Sequence, residues 1–148
     1  MKAYDSLSTF SDVEPALKKL ASNANIECVV FSNGTSSMVS NSVHKSKDLS
    51  PHSTLFKQIV TVDDVKRFKP APEVYEHLAK CVGKVGHEGD MWLISGNPFD
   101  VVGASAFGMQ AAWVDRASIG WQDKQGGQPR AIVHSLEELE QVVQAYAK

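Results

Sequence analysis

The stretch Trp92–Arg116, WLISGNPFDVVGASAFGMQAAWVDR, decides the fold of this chain. Its start belongs to the apolar run Met91–Ser95 (MWLIS), which predicts a buried strand. A short helix is predicted over Val101–Phe107, ended by Gly108, and Gln110–Val114 (QAAWV) predicts the next strand. A strand, a helix and a second strand in close succession are typical of a parallel sheet with crossover helices.

The same alternation continues on both sides of this stretch. Further strands are predicted at Ile26–Phe31, Ile59–Val62 and Ala131–Val133. Further helices are predicted after the capping box Ser11–Glu14, through Val39 and Val43, after Pro70 and Pro72, and after the capping box Ser135–Glu138 as far as Tyr146. The order predicts an α/β fold: one domain over residues 1–148, three-layer and Rossmann-like, with helices on both faces of a parallel sheet.

Composition narrows the class of function. The 148 residues are 43% hydrophobic and carry a net charge of −2, so no basic excess attracts nucleic acid or an anionic membrane surface. No apolar run approaches the roughly 20 residues of a membrane span, and a cytoplasmic location is expected. The two cysteines, Cys28 and Cys81, are expected to be buried thiols in a reducing compartment.

Polar residues follow three of the predicted strands directly. They are Ser32 and Asn33 after the first strand, Asp63, Asp64 and then Lys69 after the second, and Ser95, Asn97 and Asp100 after the third. In parallel α/β sheets the ligand site lies at the carboxyl ends of the strands. We therefore expect one edge of the sheet to collect these residues.

Each group also has a purely structural interpretation. Ser32–Thr35 (SNGT) can be a turn with a helix cap, or an anion site of hydroxyl, amide and backbone N–H groups at a helix start. Lys69 can be a surface lysine, or a fixed cation beside a reacting carboxylate. Asp100 can cap the helix after Pro98, or pair with that cation.

Taken together, the segments FSNGT (Phe31–Thr35), FKPAPEVY (Phe68–Tyr75) and Trp92–Arg116 resemble three motifs of one family. They are similar, in order, to the second, third and fourth motifs of the haloacid dehalogenase superfamily, and the resemblance covers nearly the whole chain. Phosphatases of that superfamily usually place an aspartate after a glycine in the fourth motif, with a second one shortly after, and both hold Mg²⁺. Here Gly96 takes the place of the first aspartate and Asp100 is the one that remains.

The pattern Ser95–Asp100 instead resembles the S-x-N-x-x-D of the 2-haloacid dehalogenases, which work without a metal. Mg²⁺ needs hard oxygen ligands such as carboxylates, whereas displacement of halide by a carboxylate does not need the ion. The resemblance therefore implies no metal and no cofactor, with Mg²⁺ required only by the phosphatase alternative. It implies hydrolytic dehalogenation of a small anionic 2-haloacid through an aspartyl-ester intermediate.

The resemblance also implies a role for each site residue. Lys69 would orient the nucleophilic carboxylate, and Asp100 would pair with Lys69 and help activate the water that cleaves the ester. Ser95 and Asn97 would donate hydrogen bonds to the nucleophile and to that water, and Ser32 and Asn33 would bind the substrate carboxylate or the halide. Phe99 would form an apolar edge of the halide site, and Tyr75 would support the substrate-binding site from behind. Simple packing in the core is the alternative for Phe99 and Tyr75.

No strand-like run followed by a suitable aspartate precedes Ser11, and Ala3–Val13 resembles the place where the chain returns from the helical cap into the core. The resemblance therefore implies that the first motif of the superfamily, a strand followed by D-x-x-x-T or a relative, is missing here. By resemblance the nucleophile, the central first strand and the helical cap with its halide-binding arginine would lie upstream. The missing strand would leave two sheet edges with unpaired backbone groups. These edges would pair with each other, or the gap between them would be filled by the amino-terminal segment or by another copy of the chain. We expect the chain alone to be inactive, with Asp63 and Asp64 as the nearby carboxylates. The alternatives are a phosphatase of a small phosphomonoester, or a non-catalytic remnant that binds a partner or a small anion.

Overall fold

The structure is a computed structural model that describes residues 11–45, 54–63, 65–122 and 128–146. The chain divides into two compact units, Met1–Lys66 and Arg67–Lys148. Both units contain parallel strands flanked by helices, so the predicted α/β class is confirmed. The predictions of one domain and of a missing central strand stay predictions.

The first unit holds two helices and a two-stranded parallel sheet. Its elements are α1 (Val13–Ala21), β1 (Cys28–Ser32), α2 (Ser36–Lys45) and β2 (Phe56–Thr61). In the register of the two strands Ser32 lies opposite Thr61, so the carboxyl ends of β1 and β2 are level. The polar residues that follow both strands therefore share one edge of this sheet.

The capping box predicted at Ser11–Glu14 does not form. The residue before α1 is Asp12, which makes no side-chain cap hydrogen bond. Its backbone is already helical, with φ −83° and ψ −10°. A capping residue needs an extended backbone for its side-chain oxygen to reach the first free N–H groups, so the helical backbone explains the difference.

The second unit holds a three-stranded parallel sheet in the order β3-β4-β5. Its elements are α3 (Pro72–Val82), β3 (Trp92–Ser95), α4 (Pro98–Phe107), β4 (Gln110–Val114), β5 (Ala131–Val133), α5 (Leu139–Ala145) and 3-10 turns at Glu88–Asp90 and Leu136–Glu138. Every residue of Ala111–Val114 is buried. Since side chains alternate between the two faces of a strand, both faces of β4 are covered.

The core of this unit contains a cluster of four buried residues: Ala112, Val114, Val133 and Leu139. Leu139 brings α5 onto the sheet, and Trp92 and Ile94 of β3 pack against the same cluster. The predicted capping box before α5 is confirmed, because the Ser135 and Glu138 side chains both accept backbone N–H groups. Helix α5 ends at Ala145, one residue before the predicted end.

Several predicted boundaries differ from the structure, and the starts of α4 and β2 differ by three residues each. Helix α4 begins at Pro98 rather than Val101, because proline suits the first turn, where its missing N–H is not needed. Strand β2 begins at Phe56 rather than Ile59. The earlier start of α4 places Asp100 inside the helix, in its first turn.

The expectation that both cysteines are buried is wrong for Cys81, which is exposed, and Cys28 is only partly buried. The buried stripe of α3 consists of Val74, Tyr75, Leu78 and Ala79. Cys81 lies in the last turn of α3, about 90° around the helix from the centre of that stripe, so it stands at the edge of the buried face. In the described part of the chain, no helix combines the length and apolar character needed to cross a bilayer.

Candidate active site

A buried ion pair forms the centre of the candidate site in the second unit. Lys69 Nζ lies 3.0 Å from Asp100 Oδ2, and the two side chains are only 11% and 3% exposed. Lys69 precedes α3, whereas Asp100 lies in the first turn of α4. A buried pair of charges persists only where further hydrogen bonds satisfy the groups taken out of water.

Tyr75 supplies such a hydrogen bond from α3. Its hydroxyl lies 2.6 Å from Asp100 Oδ1 and 3.2 Å from the Asp100 carbonyl oxygen. The single phenolic hydrogen is donated mainly to the nearer, charged oxygen. Among the described residues, each carboxylate oxygen of Asp100 therefore accepts from one partner, Tyr75 at Oδ1 and Lys69 at Oδ2.

This environment favours the neutral phenol of Tyr75. The side chain is fully buried, and its ring lies 6.2 Å from that of Phe107. Burial raises the pKa of Tyr75, and the hydrogen bond to Asp100 and the charge of that carboxylate raise it further. Tyr75 is therefore both a packed core residue and a hydrogen-bond donor to the ion pair.

The loop after β3 carries Ser95, Gly96 and Asn97 beside the start of α4. Ser95 Oγ accepts a 3.0 Å hydrogen bond from the backbone N–H of Asn97. The Gly96 carbonyl oxygen accepts a 3.1 Å hydrogen bond from the indole Nε1–H of Trp113 on β4. These two bonds fix the backbone of the loop on which Ser95 and Asn97 stand.

The structure decides between several of the alternatives left open by the sequence. Asn97, not Asp100, is the N-cap residue of α4, so a capping role for Asp100 is wrong. The surface interpretation of Lys69 is wrong as well, since the side chain is nearly buried. Phe99 is 47% exposed, which excludes simple core packing for this aromatic side chain among the described residues.

Ser32 and Asn33 lie in the first unit, at the carboxyl end of β1. Here the turn and the helix cap are present: Ser32 Oγ accepts from the Gly34 N–H at 3.0 Å, and Thr35 Oγ1 accepts from the Met38 N–H at 3.3 Å. Asn33 is exposed. Convergence of Ser32 and Asn33 with Lys69 and Asp100 stays a prediction.

Asp63, at the end of β2, has a structural partner in the first unit. Its Oδ2 accepts a 2.8 Å hydrogen bond from the Ser36 N–H at the start of α2. The Ser36 hydroxyl also lies 2.9 Å from Thr61 Oγ1. A carboxylate at this position suits the positive end of the helix dipole. Asp64 lies outside the described residues.

Among the described residues, no group of three or more His, Cys, Asp or Glu side chains lies close enough to hold a metal ion. Asp100, the one carboxylate within Ser95–Asp100, has a lysine on one oxygen and a tyrosine hydroxyl on the other. A cation at this carboxylate would have to displace Lys69 or Tyr75, or lie close to the positive charge of Lys69.

Two residues that the sequence did not indicate as functional contact the candidate site among the described residues. Trp113 holds the Gly96 carbonyl, and no pattern in the sequence distinguishes it from an ordinary core aromatic. Gly103 lies inside α4 directly against Tyr75 and Pro70. A glycine in the interior of a predicted helix is a signal of close packing, and this signal was available in the sequence.

Comparison with known proteins gives consistent similarities. The family model described as haloacid dehalogenase-like hydrolase matches residues 1–114. The chain is 31% identical over 140 residues to haloacetate dehalogenase H-2 of Moraxella sp. strain B, covering 90% of this chain and 59% of that protein. It is 29% identical to the (S)-2-haloacid dehalogenase of Pseudomonas fluorescens, over 93% of this chain and 57% of that protein.

The solved structure of L-2-haloacid dehalogenase from Xanthobacter autotrophicus, with chloropropionic acid covalently bound, superposes with a TM-score of 0.83 at 24% identity. The match covers 99% of this chain and 65% of that one, and at this identity it supports the fold alone. The chain thus spans less than two thirds of the length of each of these three proteins.

Proposed function

This chain belongs to the family of haloacid dehalogenase-like hydrolases, and we propose that it carries the lysine–aspartate half of a 2-haloacid dehalogenase site. The observation that supports this is the buried Lys69–Asp100 pair, with Tyr75 on the second carboxylate oxygen. Gly96 stands where a metal-dependent relative would carry a carboxylate. The site thus offers a fixed ammonium group beside a fixed carboxylate.

The proposed reaction has two steps. An aspartate carboxylate from a segment outside this chain attacks C2 of the 2-haloacid, the carbon–halogen bond breaks, and the halide leaves with the bonding electron pair. Water then attacks the carbonyl carbon of the resulting aspartyl ester. The ester C–O bond of that carbonyl breaks, a 2-hydroxy acid is released, and the aspartate is restored.

Lys69 and Asp100 act in different steps of this scheme. The Lys69 ammonium attracts and orients the negative nucleophile before attack. Each Asp100 oxygen accepts one hydrogen bond from Lys69 or Tyr75 and keeps a second lone pair, which can accept a hydrogen from the hydrolytic water. Tyr75 is fully buried, so it acts on Asp100 and does not offer a surface to the substrate.

The loop after β3 would position the water and the nucleophile. Ser95 and Asn97 present hydroxyl and amide groups at the carboxyl end of the strand, and the Asn97 side chain is not used to cap α4. Phe99 follows on the exposed side, where an aromatic edge suits a weakly hydrated halide. In the first unit Ser32 and Asn33 would receive the substrate carboxylate or the halide.

We propose that the reaction needs no metal. Mg²⁺ binds through several carboxylates and loses water reluctantly, and here Gly96 contributes no ligand while Asp100 is neutralised by Lys69. The halide departs as a stable anion, and the positive charge of Lys69 supports the carboxylates without a second cation.

The test compares the 148-residue chain alone with the same chain joined to an amino-terminal segment that carries a D-x-x-x-T aspartate. Halide release from L-2-chloropropionate is measured in the presence of EDTA, with Asp100→Ala of the longer protein as the control. The longer protein should release chloride and lose at least about 100-fold in rate in the variant, because a positioned acid–base group contributes on that order. The chain alone should release none.

Two outcomes would contradict the proposal. Chloride release by the 148-residue chain, abolished in Asp100→Ala, would place the nucleophile within this chain. Phosphate release from p-nitrophenyl phosphate that requires Mg²⁺, without chloride release, would favour the phosphatase alternative.

A further inference from the structure

Gly103 occupies the interior of α4, one turn after Asp100. A Cβ atom at this position would lie 2.7 Å from Tyr75 Oη, 2.9 Å from Tyr75 Cε2 and 2.8 Å from Pro70 Cβ. All three distances are shorter than real Cβ contacts, so the tyrosine and the proline already fill the space of a side chain.

The glycine is not required by the backbone at this position. Gly103 has no positive φ, unlike Gly83 and Gly108, which end α3 and α4 in the left-handed region. Alanine would be the better helix former here. The reason for glycine is therefore the space that Tyr75 and Pro70 occupy.

These two neighbours are the residues that bring both partners to Asp100. Tyr75 itself donates to Oδ1, and Pro70 directly follows Lys69, which donates to Oδ2. Residues three apart on a helix lie on the same side, so the phenol passes over Gly103 to reach Asp100. Both neighbours of Gly103 thus belong to the segments that supply the two hydrogen-bond donors of Asp100.

We propose that Gly103 is a positioning residue of this site, whose missing side chain lets Tyr75 and the Lys69–Pro70 segment close on the Asp100 carboxylate. The catalytic meaning of this closure depends on the proposed function. The geometric claim does not, because it concerns hydrogen bonds that can be measured in the protein without substrate.

The experiment follows ionisation of the three tyrosines in the wild-type chain and in Gly103→Ala, using the ¹³Cζ chemical shifts of labelled tyrosine. Tyr75→Phe identifies the Tyr75 signal. In the wild type Tyr75 should resist ionisation well above the ordinary range near 10. In Gly103→Ala, the added methyl should push the hydroxyl off Asp100 and increase the ionisation constant of Tyr75 at least about tenfold, one pH unit.

A second comparison covers the case in which Gly103→Ala does not fold. Tyr75→Phe removes the hydroxyl that lies nearest to the added methyl, so Gly103→Ala should be better tolerated in the Tyr75→Phe background, by circular dichroism and urea unfolding. Gly89→Ala is the matched control, because nothing lies within 4 Å of a Cβ at Gly89. The control should leave the Tyr75 signal unchanged.

The inference is overturned by either of two results. One is a folded Gly103→Ala protein whose Tyr75 signal titrates as in the wild type, which would mean that the helix moves and the hydrogen bond survives. The other is an equal loss of stability, or an equal failure to fold, with and without the Tyr75 hydroxyl. Absence of turnover in the longer wild-type protein, while Tyr75 responds to Gly103→Ala as expected, would count against the proposed function alone.

Discussion

The indole N–H of Trp113 donates a 3.1 Å hydrogen bond to the Gly96 carbonyl oxygen and so connects β4 to the loop that carries Ser95 and Asn97. Trp113 is 4% exposed and stands opposite Ser95 in the register of β3 and β4. Its ring also packs edge-on against Trp121, with ring centroids 5.2 Å apart. The loop therefore depends on a side chain from the neighbouring strand.

Trp113→Phe should loosen this loop. The substitution keeps an aromatic ring but removes the donor, and a lost hydrogen bond of this kind costs about 1 kcal/mol of unfolding free energy, in addition to the loss of ring volume. Hydrogen exchange at the Asn97 amide should become faster. Trp121→Phe is the control, because the buried Trp121 Nε1 has no hydrogen-bond partner among the described residues. Equal exchange at Asn97 in the two variants would contradict the prediction.

Lys69→Met should be strongly destabilising. It leaves the buried Asp100 carboxylate with one of its two partners, and breaking a buried ion pair in this way costs about 3–5 kcal/mol. Lys80→Met provides the comparison, because it removes an exposed pair with Glu76 at 3.3 Å that should contribute about 0.5 kcal/mol or less. Urea unfolding measures both, and similar values for the two variants would argue against a buried pair.

Alkaline pH should destabilise the wild type through Tyr75. Its pKa is raised in the folded state, so above the ordinary value near 10 the unfolded chain loses the phenolic proton while the folded chain keeps it. The unfolded state then binds fewer protons, and the free energy of unfolding falls as pH rises. The stabilisation is fully present below about pH 10 and is lost between that pH and the raised pKa. Tyr75→Phe should have a flatter dependence above about pH 10, and parallel curves would contradict the assignment.

The two thiols should differ in reactivity. Cys81 is exposed on α3, whereas Cys28 is partly buried and burial raises the pKa of its thiol, which lowers the thiolate fraction at neutral pH. We expect Cys81 to react with iodoacetamide first and Cys28 only slowly. Mass spectrometry of peptides after timed labelling measures the order, with denatured protein as the reference in which both react. Equal native rates would contradict the difference in environment.

The bounds of a strand could be predicted from the sequence where residues that disfavour a strand, such as glycine, flank the apolar run. Gln110–Val114 follows Gly108 closely, and the predicted and observed bounds agree. Helix α4 was predicted three residues too short at its start, because Pro98 can stand either before a helix or in its first turn. That ambiguity matters for function, since it left open whether Asp100 capped the helix or lay within it.

The sequence by itself determined the order of strands and helices, the polar residues at strand ends, and the family. Apolar periodicity and the motifs are local properties that can be read along the chain. The tertiary structure alone decided that Gly103 makes room for Tyr75, that Trp113 holds Gly96, and that Asp63 binds the start of α2. These contacts join residues far apart in the chain, and their distances depend on how helices and strands pack, which no local pattern specifies.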